Sequence, residues 1–539
     1  MAIAQLSRVT LLCPRADLGP FLSRLCDTGI FHPAERSGLV QDTQLVLLSS
    51  RAHAVYSDAN LLLQARKSEA PPTVANFEST SMADLVERLA ARTSRISDEL
   101  RNPDVDPVAK AQLESELRSI RDAALTVFKD TSRIRVRPGP RRFLILEGFV
   151  PTSKLPLFKE TMRPNFLSSE PIPRRQPGVP YVPSLVVNPR VVSLFEGITL
   201  SLGVPKYNEV DPTPVVAFVF PLFFGIMFSD VGRGLLLFVA GLGLRNNRRD
   251  DFRYLGRLLL VLGSASMIVG ALRGLFFGVF LPYTPLLPSP SFLVQGPSIQ
   301  TVTFWLEVGI AVGTIHLSAG YVLAIINRFL SKDYPEAFLS YLPTLVLYAS
   351  AIPFVLALVG SGLSWEGVFT STQPTPFFST LLGVMVPVSS VAGFTFPILI
   401  ASLVVLLLGR FVNSLYSTRS LRRSAPSLKD GVADSLVRPA EIFVHTISYI
   451  RLGILLVVES VFGELLAQLL ALGLLGVVLA IPGNIAVVSI MAFIVYLQDL
   501  RLNVYEWFSK FYSGVGRPFA PLVSRGASFN LSWSFAAAP

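Results

Sequence analysis

Residues 440–480 read AEIFVHTISYIRLGILLVVESVFGELLAQLLALGLLGVVLA, and this stretch decides what kind of protein the chain is. It is longer and more apolar than a surface helix of a soluble protein, yet it carries ionisable side chains along its length. As one helix it would extend about 60 Å, twice the hydrocarbon thickness of a bilayer. We therefore expect it either to break at Gly473 or Gly476 or to lie strongly tilted in the membrane.

Polar side chains follow one side of this segment. At 100° per residue, Glu441, Ser448 and Glu459 nearly coincide, with His445 about 40° to one side and Arg451 about 80° to the other. The rise from Glu441 to Glu459 is about 27 Å, nearly a whole hydrocarbon core, so the stripe predicts a hydrated path. The alternative for Arg451 is a buried ion pair between two helices. For Glu441 and His445 it is an interfacial position at the start of the helix.

The last apolar run, 485–511, carries a second polar set. Gln498, Arg501 and Tyr505 are spaced by three and then four residues, which places them on one helical face. Charge inside a bilayer is costly and indicates function unless a structural reason accounts for it. For Arg501 such a reason exists, because a long cationic side chain near the end of a span can snorkel to the membrane surface.

Apolar stretches long enough to cross a bilayer recur from about residue 215 onward. Basic loops of membrane proteins stay on the cytoplasmic side, so we expect the Arg/Lys-rich loops inside and the nearly uncharged loops outside. The stretches are 215–244, 255–281, 302–329, 338–360, 381–411, 440–480 and 485–511; the basic loops are 245–257, 328–332 and 417–429; the nearly uncharged loops are 282–300 and 361–376.

The stretch 215–244 decides the parity of the topology. If the N-terminal part and loop 245–257 are both cytoplasmic, this stretch must enter the membrane and return. It contains a natural break, Ser229-Asp230-Val231-Gly232. We therefore predict a tight hairpin of two short spans, about eight crossings in all, and both termini in the cytoplasm.

The N-terminal part, 1–190, is charged and mixed, and its pattern predicts a small α/β lobe built from two separated pieces of chain. Apolar periodicity at about 80–130 predicts two helices between these pieces, either a helical-hairpin arm or an ordinary helical insertion. Residues 171–190 hold six prolines and are expected to be a linker to the membrane domain, 191–539. The predicted lobe elements are strands at 7–12, Leu45–Leu48 and Arg142–Leu146, and helices at Asp17–Thr28 and Ser153–Thr161.

Composition excludes several other classes. The net charge of +10 comes from clusters that flank apolar runs, which fits membrane topology better than nucleic-acid binding. Two cysteines and four scattered histidines predict neither a disulfide framework nor a metal site. No GxxxxGK[ST] occurs, so we expect no cofactor and no nucleotide hydrolysis by this chain itself. The N-terminus lacks the basic region of a cleaved signal peptide.

Five motifs resemble one protein family. HTISYIRL at 445–452 resembles the penultimate-helix motif of the a subunit, or subunit I, of V-type and archaeal A-type rotary ATPases. QDLRL at 498–502, followed by Glu506-Trp507 and by Gly514–Phe519, is similar to that family's last helix and its tail. The other similar stretches are EGFVP at 147–151, Tyr207 with DPT at 211–213 leading into FFGIMFSDVG at 223–232, and GTIH at 313–316 with Asn327.

The chain also departs from the family pattern. The family's GDxGHG is SDVGRG here, with Arg233 at the histidine position. Some members carry a histidine where Glu459 stands, and Glu441 lies near a family glutamate but not on it. The N-terminal part is short, so we expect one lobe without a second lobe at the far end of the arm.

The resemblance implies a polytopic α-helical membrane protein, the last two helices long and tilted, with an N-terminal cytoplasmic α/β lobe. It implies a stator subunit that carries protons through two offset half-channels past a rotating proteolipid c-ring. Its expected partners are that ring, peripheral-stalk subunits, a central-stalk or ring-capping subunit and the lipid bilayer. The implied roles are Arg451 facing the ring, Arg501 and Gln498 beside it, and Glu441, His445, Ser448, Glu459 and Tyr505 along the proton path.

Two functions of other classes compete with this one. A secondary transporter could use Arg451 to bind an anionic substrate, but the sequence shows no inverted repeat and no paired broken helices. A membrane scaffold whose lobe does the work leaves the polar stripe unexplained. Copurification of a proteolipid ring and ATPase subunits from native membranes distinguishes the stator from both.

The parity of the basic loops gives a first testable prediction. Cysteines placed at positions 247 and 290 should react with impermeant thiol reagents from opposite sides of the membrane, because one apolar stretch separates them. Labelling of both positions from the same side would contradict the topology.

Overall fold

The chain forms two compact units. The computed structural model describes residues 3–35, 38–65, 74–102, 106–137, 142–174, 182–289, 299–381, 383–418, 421–526 and 528–533. The first unit, here called the lobe unit, contains Ile3–Arg174, Gly178–Val186 and the C-terminal segment from Gly516. The second, here called the membrane unit, contains Val187–Val515.

The lobe unit begins with a sheet and helices that closely follow the predicted pattern. The predicted strand at 7–12 and the helices at Asp17–Thr28 and Ser153–Thr161 are confirmed, and Gly29 ends the first helix in the left-handed conformation at φ 59°. The strands are β1 (Leu6–Pro14), β2 (His32–Pro33), β3 (Ala75–Ser79), β4 (Val136–Arg137), β5 (Phe143–Pro151) and β6 (Phe166–Pro171); the helices are α1 (Leu18–Thr28), α2 (Thr43–Ala65), α3 (Met82–Arg101), α4 (Pro107–Arg133) and α5 (Leu155–Thr161).

The main sheet has the order β2-β5-β1-β6, and its paired strands are antiparallel. With α1 between β1 and β2 and α5 between β5 and β6, it has the split β-α-β arrangement of ferredoxin-like lobes. Gly148 on β5 is needed here, because a Cβ would lie 2.1 Å from the ring of Phe31. The neighbouring Glu147 is buried and pairs with Arg8 and Arg137. The EGFVP stretch therefore packs β5 closely against Phe31 and pairs its buried carboxylate with two arginines.

Three helices, not two, fill the space between the halves of this sheet. The predicted helices at about 80–130 are present as α3 and α4, but α2 packs against both of them. The predicted strand at Leu45–Leu48 is wrong, because these residues lie in the first turns of α2. Leu45, Ala52 and Ala59 are all buried and recur every seven residues, which is about two turns of a helix. A short run of Val and Leu carries no such information, which is why it resembled a strand.

The C-terminal segment completes the lobe unit. Its strand Phe529–Trp533 pairs in parallel with β3, and the backbone N–H of Leu522 donates to the carbonyl of Phe31. Both segments that flank the membrane unit in sequence therefore belong to one compact unit.

Within the described ranges, six helices of the membrane unit are long and apolar enough to cross a bilayer, and two shorter apolar helices precede them. They support an integral membrane protein. In chain order the elements are α6 (Glu196–Leu200), α7 (Thr213–Met227), α8 (Val231–Leu244), α9 (Asp250–Arg273), β7 (Leu275–Phe276), β8 (Val279–Phe280), α10 (Ile299–Leu330), α11 (Tyr334–Glu336), α12 (Leu342–Gly360), α13 (Trp365–Thr370), α14 (Pro376–Leu381), α15 (Val388–Thr418), α16 (Leu421–Ser448), α17 (Ile450–Leu469) and α18 (Leu474–Arg501), and the C-terminal strand is β9 (Phe529–Trp533).

The predicted breaks are present, although the boundaries differ. The stretch 215–244 divides at Phe228–Asp230 into α7 and α8, which both pack along α9. The long stretch ends at Gly473, whose φ of 67° and ψ of −137° are accessible to glycine but strained for other residues. Helical structure begins at Leu421, earlier than the apolar run predicted, because the basic segment before residue 440 continues the helix.

Two buried titratable side chains of the lobe unit, His32 and Asp130, accept hydrogen bonds from the C-terminal segment. The Ala520 N–H donates to His32 Nδ1 (3.0 Å), and burial beside Arg133 lowers the His32 pKa to about 4. The Val523 N–H donates to Asp130 Oδ2 (3.1 Å), and burial raises the Asp130 pKa to about 6. The neutral histidine contributes stability that is lost as pH falls from about 6.5 to about 4. The protonated aspartate contributes stability that is lost as pH rises through about 6.

We predict that these opposite effects largely cancel between pH 4 and 6 and that single substitutions expose them. His32→Asn should make the lobe unit less stable as pH rises across this window, and Asp130→Asn should make it more stable. Each change should amount to about 1–3 kcal/mol. The measurement is the temperature at which the lobe unit becomes sensitive to protease, determined at each pH on the full chain in detergent. The double variant should show a flat profile, and equal slopes for wild type and both single variants would contradict the assignment.

Candidate functional site

Arg451 lies in the first turn of α17, on a face of the helix that the described residues leave open. Ile447 and Ile454, which flank it on the helical surface, are 45% and 49% exposed. The guanidinium itself is half-buried, and its Nη1 has no hydrogen-bond partner among the described residues. The helix therefore holds a permanent cation at the edge of an exposed apolar surface.

Arg501 occupies the equivalent place near the end of α18, which packs beside α17. Its side chain is 56% exposed, and Phe493 and Leu497 continue the same open face toward the start of the helix. Arg451 and Arg501 are electrostatic neighbours. The two arginines that the sequence singled out are thus brought together by the packing of these helices.

Gln498 and Tyr505 border the same region. Gln498 is half-buried and its Oε1 is buried without a hydrogen-bond partner among the described residues. Tyr505 is exposed and lies beyond Arg501, where a π-helical segment, Leu502–Trp507, follows α18. This segment turns Glu506 inward, so that its carboxylate is buried with one oxygen 3.7 Å from Arg501 Nε.

A second cluster lies at the other end of the predicted stripe. Glu441 pairs with the buried Lys510 ammonium, and His445 Nε2 lies 3.5 Å from the same carboxylate oxygen. Lys510 also lies 5.8 Å from the centre of the Tyr321 ring. Ser448, one turn further along, donates to the carbonyl of Val444. The predicted residues Glu441 and His445 are therefore together, but a lysine from beyond α18 joins them.

Glu459 belongs to a third cluster, which is closed to solvent. Its carboxylate accepts from Arg233 Nη1 at 2.6 Å and lies 3.8 Å from Arg273 Nη1, and all three side chains are at most 1% exposed. The carboxylate of buried Asp230 accepts from the backbone N–H groups of Arg233, Phe277 and Gly278. Two buried cations and two buried carboxyl groups therefore form one balanced ion-pair cluster.

The turn that Asp230 holds is strained. Phe277 and Gly278 connect β7 and β8 with φ values of 50° and 76°, as a two-residue hairpin turn requires. Phenylalanine rarely adopts a positive φ, so the carboxylate stabilises a conformation that the residue itself disfavours. Gly278 in turn packs against the backbone of Gly463 on α17, where a Cβ on Gly278 would lie 2.3 Å away. The strained turn therefore packs directly against α17, next to the ion-pair cluster.

Tyr449 connects the arginine region to α10. It is buried at the single residue between α16 and α17, and its hydroxyl lies 2.8 Å from His316 Nδ1. The His316 ring stacks on Trp507 with a centroid distance of 4.6 Å. Gly313 is required for this approach, since a Cβ there would lie 2.5 Å from the Tyr449 ring. The GTIH stretch thus positions the residue two before Arg451.

Asn327 plays a comparable structural part. Its Oδ1 accepts from the Val210 N–H at 2.9 Å, and its Nδ2 donates to the Phe511 carbonyl at 3.1 Å. Asp211 accepts from the N–H and hydroxyl of Thr213 and so begins α7. These motif residues join the start of α7 to α10 and to the segment after α18.

Sequence reasoning missed the partners of the predicted residues. Arg233 was noted only as a departure from a motif, and Arg273 and Lys510 were not considered. The signal that could have found them is charge inside or next to an apolar run, since an isolated Glu459 in the membrane needs a cation nearby. The cations that pair with Glu459 depend on how α8 and α9 pack against α17, and sequence spacing does not predict that packing.

Comparison with known proteins agrees with this architecture. Residues 87–253 match the model of the V-type ATPase 116 kDa subunit family. The chain is 27% identical to the A-type ATP synthase subunit I of Aeropyrum pernix over 66% of this chain and 54% of that one. It is 30% identical to the A-type ATP synthase subunit I of Pyrococcus abyssi over 64% of this chain and 48% of that one. A bacterial relative, V-type ATP synthase subunit I 2 of Treponema pallidum, is 35% identical over 28% of this chain and 37% of its own.

The chain thus spans about half the length of the curated relatives that it matches most extensively. The family model covers the helical part of the lobe through α8, and the longer alignments cover about two thirds of the chain. Together with the apolar helices of the membrane unit, these matches support one conclusion: the chain is similar to the V-type ATPase 116 kDa subunit family and to subunit I of A-type ATP synthases.

Proposed function

We propose that this chain is the stator subunit through which protons cross the membrane, along two offset half-channels, against a rotating proteolipid ring. One observation carries the proposal. Arg451 and Arg501 interact electrostatically on an otherwise apolar open face, with Arg501 56% exposed. An arginine facing lipid costs several kcal/mol, so this face calls for an anionic partner. A ring of subunits that each carry a mid-membrane carboxyl supplies one.

Arginine suits this position for a chemical reason. Its guanidinium keeps its charge under all relevant conditions, so it cannot itself pass a proton on. It attracts an ionised ring carboxylate, favours release of the proton from the protonated form, and blocks direct passage of protons between the half-channels. A charge that crosses the membrane carries about 2.3 kcal/mol per 100 mV, which drives rotation in the direction of synthesis.

The two other clusters flank Arg451 along the helix and fit the two half-channels. Glu441, His445 and Ser448 would line the cytoplasmic path, with Tyr505 and Gln498 bordering the arginines. Glu459 would lie toward the outer path. In this chain two guanidinium groups hold Glu459, so its first contribution is to neutralise Arg233 and Arg273.

The remaining assignments rest on the family and on charge placement. Both termini and the lobe unit would be cytoplasmic, with about eight spans if α7 and α8 cross as a pair. The hairpin of α3 and α4 would act as the arm that meets peripheral-stalk subunits, and the lobe would meet the central-stalk or ring-capping subunit. The chain would bind no nucleotide, and the complex that contains it would couple proton flow to ATP synthesis or hydrolysis.

The central prediction concerns Arg451. Arg451→Ala should abolish ATP-coupled proton movement while the complex still assembles, because no other cation would meet the ring carboxylate at that depth. Arg451→Lys should fail as well, since a buried ammonium can lose its proton and a guanidinium does not. Arg501→Ala should impair pumping less. Proton pumping by reconstituted complex, normalised to assembled protein, is the measurement, and near-normal pumping by Arg451→Ala would refute the proposal.

A second prediction separates the two possible roles of Glu459. Glu459→Gln leaves two buried guanidinium groups with a weaker partner and should destabilise the membrane unit by about 3–5 kcal/mol. Replacing both members of the tightest pair, as Arg233→Met with Glu459→Met, should recover much of that stability. If the recovered double variant pumps normally, Glu459 is structural. Loss of pumping in a stable double variant places Glu459 on the proton path.

A further inference from the structure

Glu506 is a buried carboxylate that lies within the last-helix motif but has no role in the proposed function. It is 3% exposed, whereas its nearest charged neighbour, Arg501, is largely exposed. One of its oxygens lies 3.7 Å from Arg501 Nε, and the other is buried without a hydrogen-bond partner among the described residues. Arg451 interacts electrostatically with both Arg501 and Glu506. The carboxylate therefore lies within reach of two cations that repel each other.

The local backbone accounts for this placement. In an α-helix, residues five apart point about 140° away from each other, so Glu506 would face away from Arg501. Residues Leu502–Trp507 instead form a π turn, in which the Phe508 N–H donates to the Asn503 carbonyl five residues back. The wider π turn brings residues five apart closer to one face than an α-helix does. Such turns are rare and concentrate at functional sites, because they cost regular hydrogen bonding.

The other charges near Glu506 do not remove the need for it. Lys510 also interacts with Glu506, but its ammonium pairs with Glu441. Tyr449 is a further neighbour of the carboxylate and is occupied by His316. Without Glu506, two guanidinium groups on adjacent helices would repel each other with no paired carboxylate in the part of the chain that the structure describes. One of them, on Arg451, already has a buried Nη1 without a hydrogen-bond partner among the described residues.

We propose that Glu506 is a positioning residue, the internal counter-ion shared by Arg451 and Arg501. It holds the two guanidinium groups together on the open face while no ring carboxylate is present, and Arg451 exchanges it for the ring carboxylate when one arrives. Glu506 itself carries no proton across the membrane, since it lies on the inward face of the last helix. The inference rests on the proposed function, because it assigns the anion that the arginines meet between successive ring carboxylates.

A suppression experiment tests this role. Glu506→Gln should reduce ATP-driven proton pumping at least tenfold, because the two arginines then repel without a counter-ion. Arg501→Gln in the same chain should restore pumping at least threefold above Glu506→Gln alone, because it removes one of the repelling charges. If Glu506→Gln fails to assemble, the yield of assembled complex is the readout, and the second substitution should raise it. A carboxylate with no electrostatic link to Arg501 predicts the opposite, since independent defects multiply.

Asp499 provides the matched control. It is a fully buried carboxyl on the same helix, paired with Asn503 rather than with an arginine. Arg501→Gln should not suppress Asp499→Asn. Multiplying defects for Glu506→Gln and Arg501→Gln would overturn the counter-ion role, as would equal suppression of Asp499→Asn. Normal pumping by Arg451→Ala would instead refute the proposed function itself, so the two failures are distinguishable.

Discussion

Permanent positive charge inside an apolar medium is the constraint on which the membrane unit depends. A guanidinium cannot be neutralised by losing its proton, so each buried arginine must meet an anion or a dense set of acceptors. Arg233 and Arg273 both lie against Glu459; Arg233 also donates to the Asn484 side-chain oxygen, and Arg273 donates to the hydroxyls of Ser229 and Ser460. Among the described residues, Glu506 is the carboxylate that pairs with Arg501 and attracts Arg451, and both arginines border the open face. The arginines of the first site are therefore buried with their partners, whereas those of the second site border an exposed surface.

The difference between the two sites follows from helix packing. The closed cluster lies where α8, α9 and α17 approach closely, and small residues allow that approach. A Cβ on Gly234 would lie 2.8 Å from the Ser266 hydroxyl, and one on Gly463 would lie 3.0 Å from the backbone of Gly278. Close packing excludes lipid and brings acceptors within reach of the guanidinium groups. The open site is formed by the outer faces of α17 and α18, where no helix of this chain covers the arginines among the described residues.

The lobe unit combines segments from both ends of the chain. Its sheet is built from the two ends of the N-terminal part, and the C-terminal strand Phe529–Trp533 adds to β3. The last helix of the membrane unit is thereby followed by a segment that the lobe holds through His32 and Asp130. Both titratable groups are buried where the segment crosses the lobe, so their protonation is linked to its docking.

By itself the sequence determined the class of protein, the broken and continuous helices, and the two arginines. Apolar length, basic loops and helical period are local properties, and each can be read without knowing which helices touch. The motifs added the family because they lie in a fixed order along the chain. Helix α2 was missed because a short aliphatic run fits a strand as well as a helix until its buried face is known.

Only the tertiary structure decided which charges meet. Glu441 joins Lys510, and Glu459 joins Arg233, across separations of 69 and 226 residues. Helical spacing placed Glu441 and Glu459 on one stripe, yet their surroundings differ, because different helices cover each end. The π turn that directs Glu506 toward Arg501 has no sequence signal of its own, since it arises from how Leu502–Trp507 packs against its neighbours. Spacing fixes the direction of a side chain from its own helix, and only packing fixes what lies there.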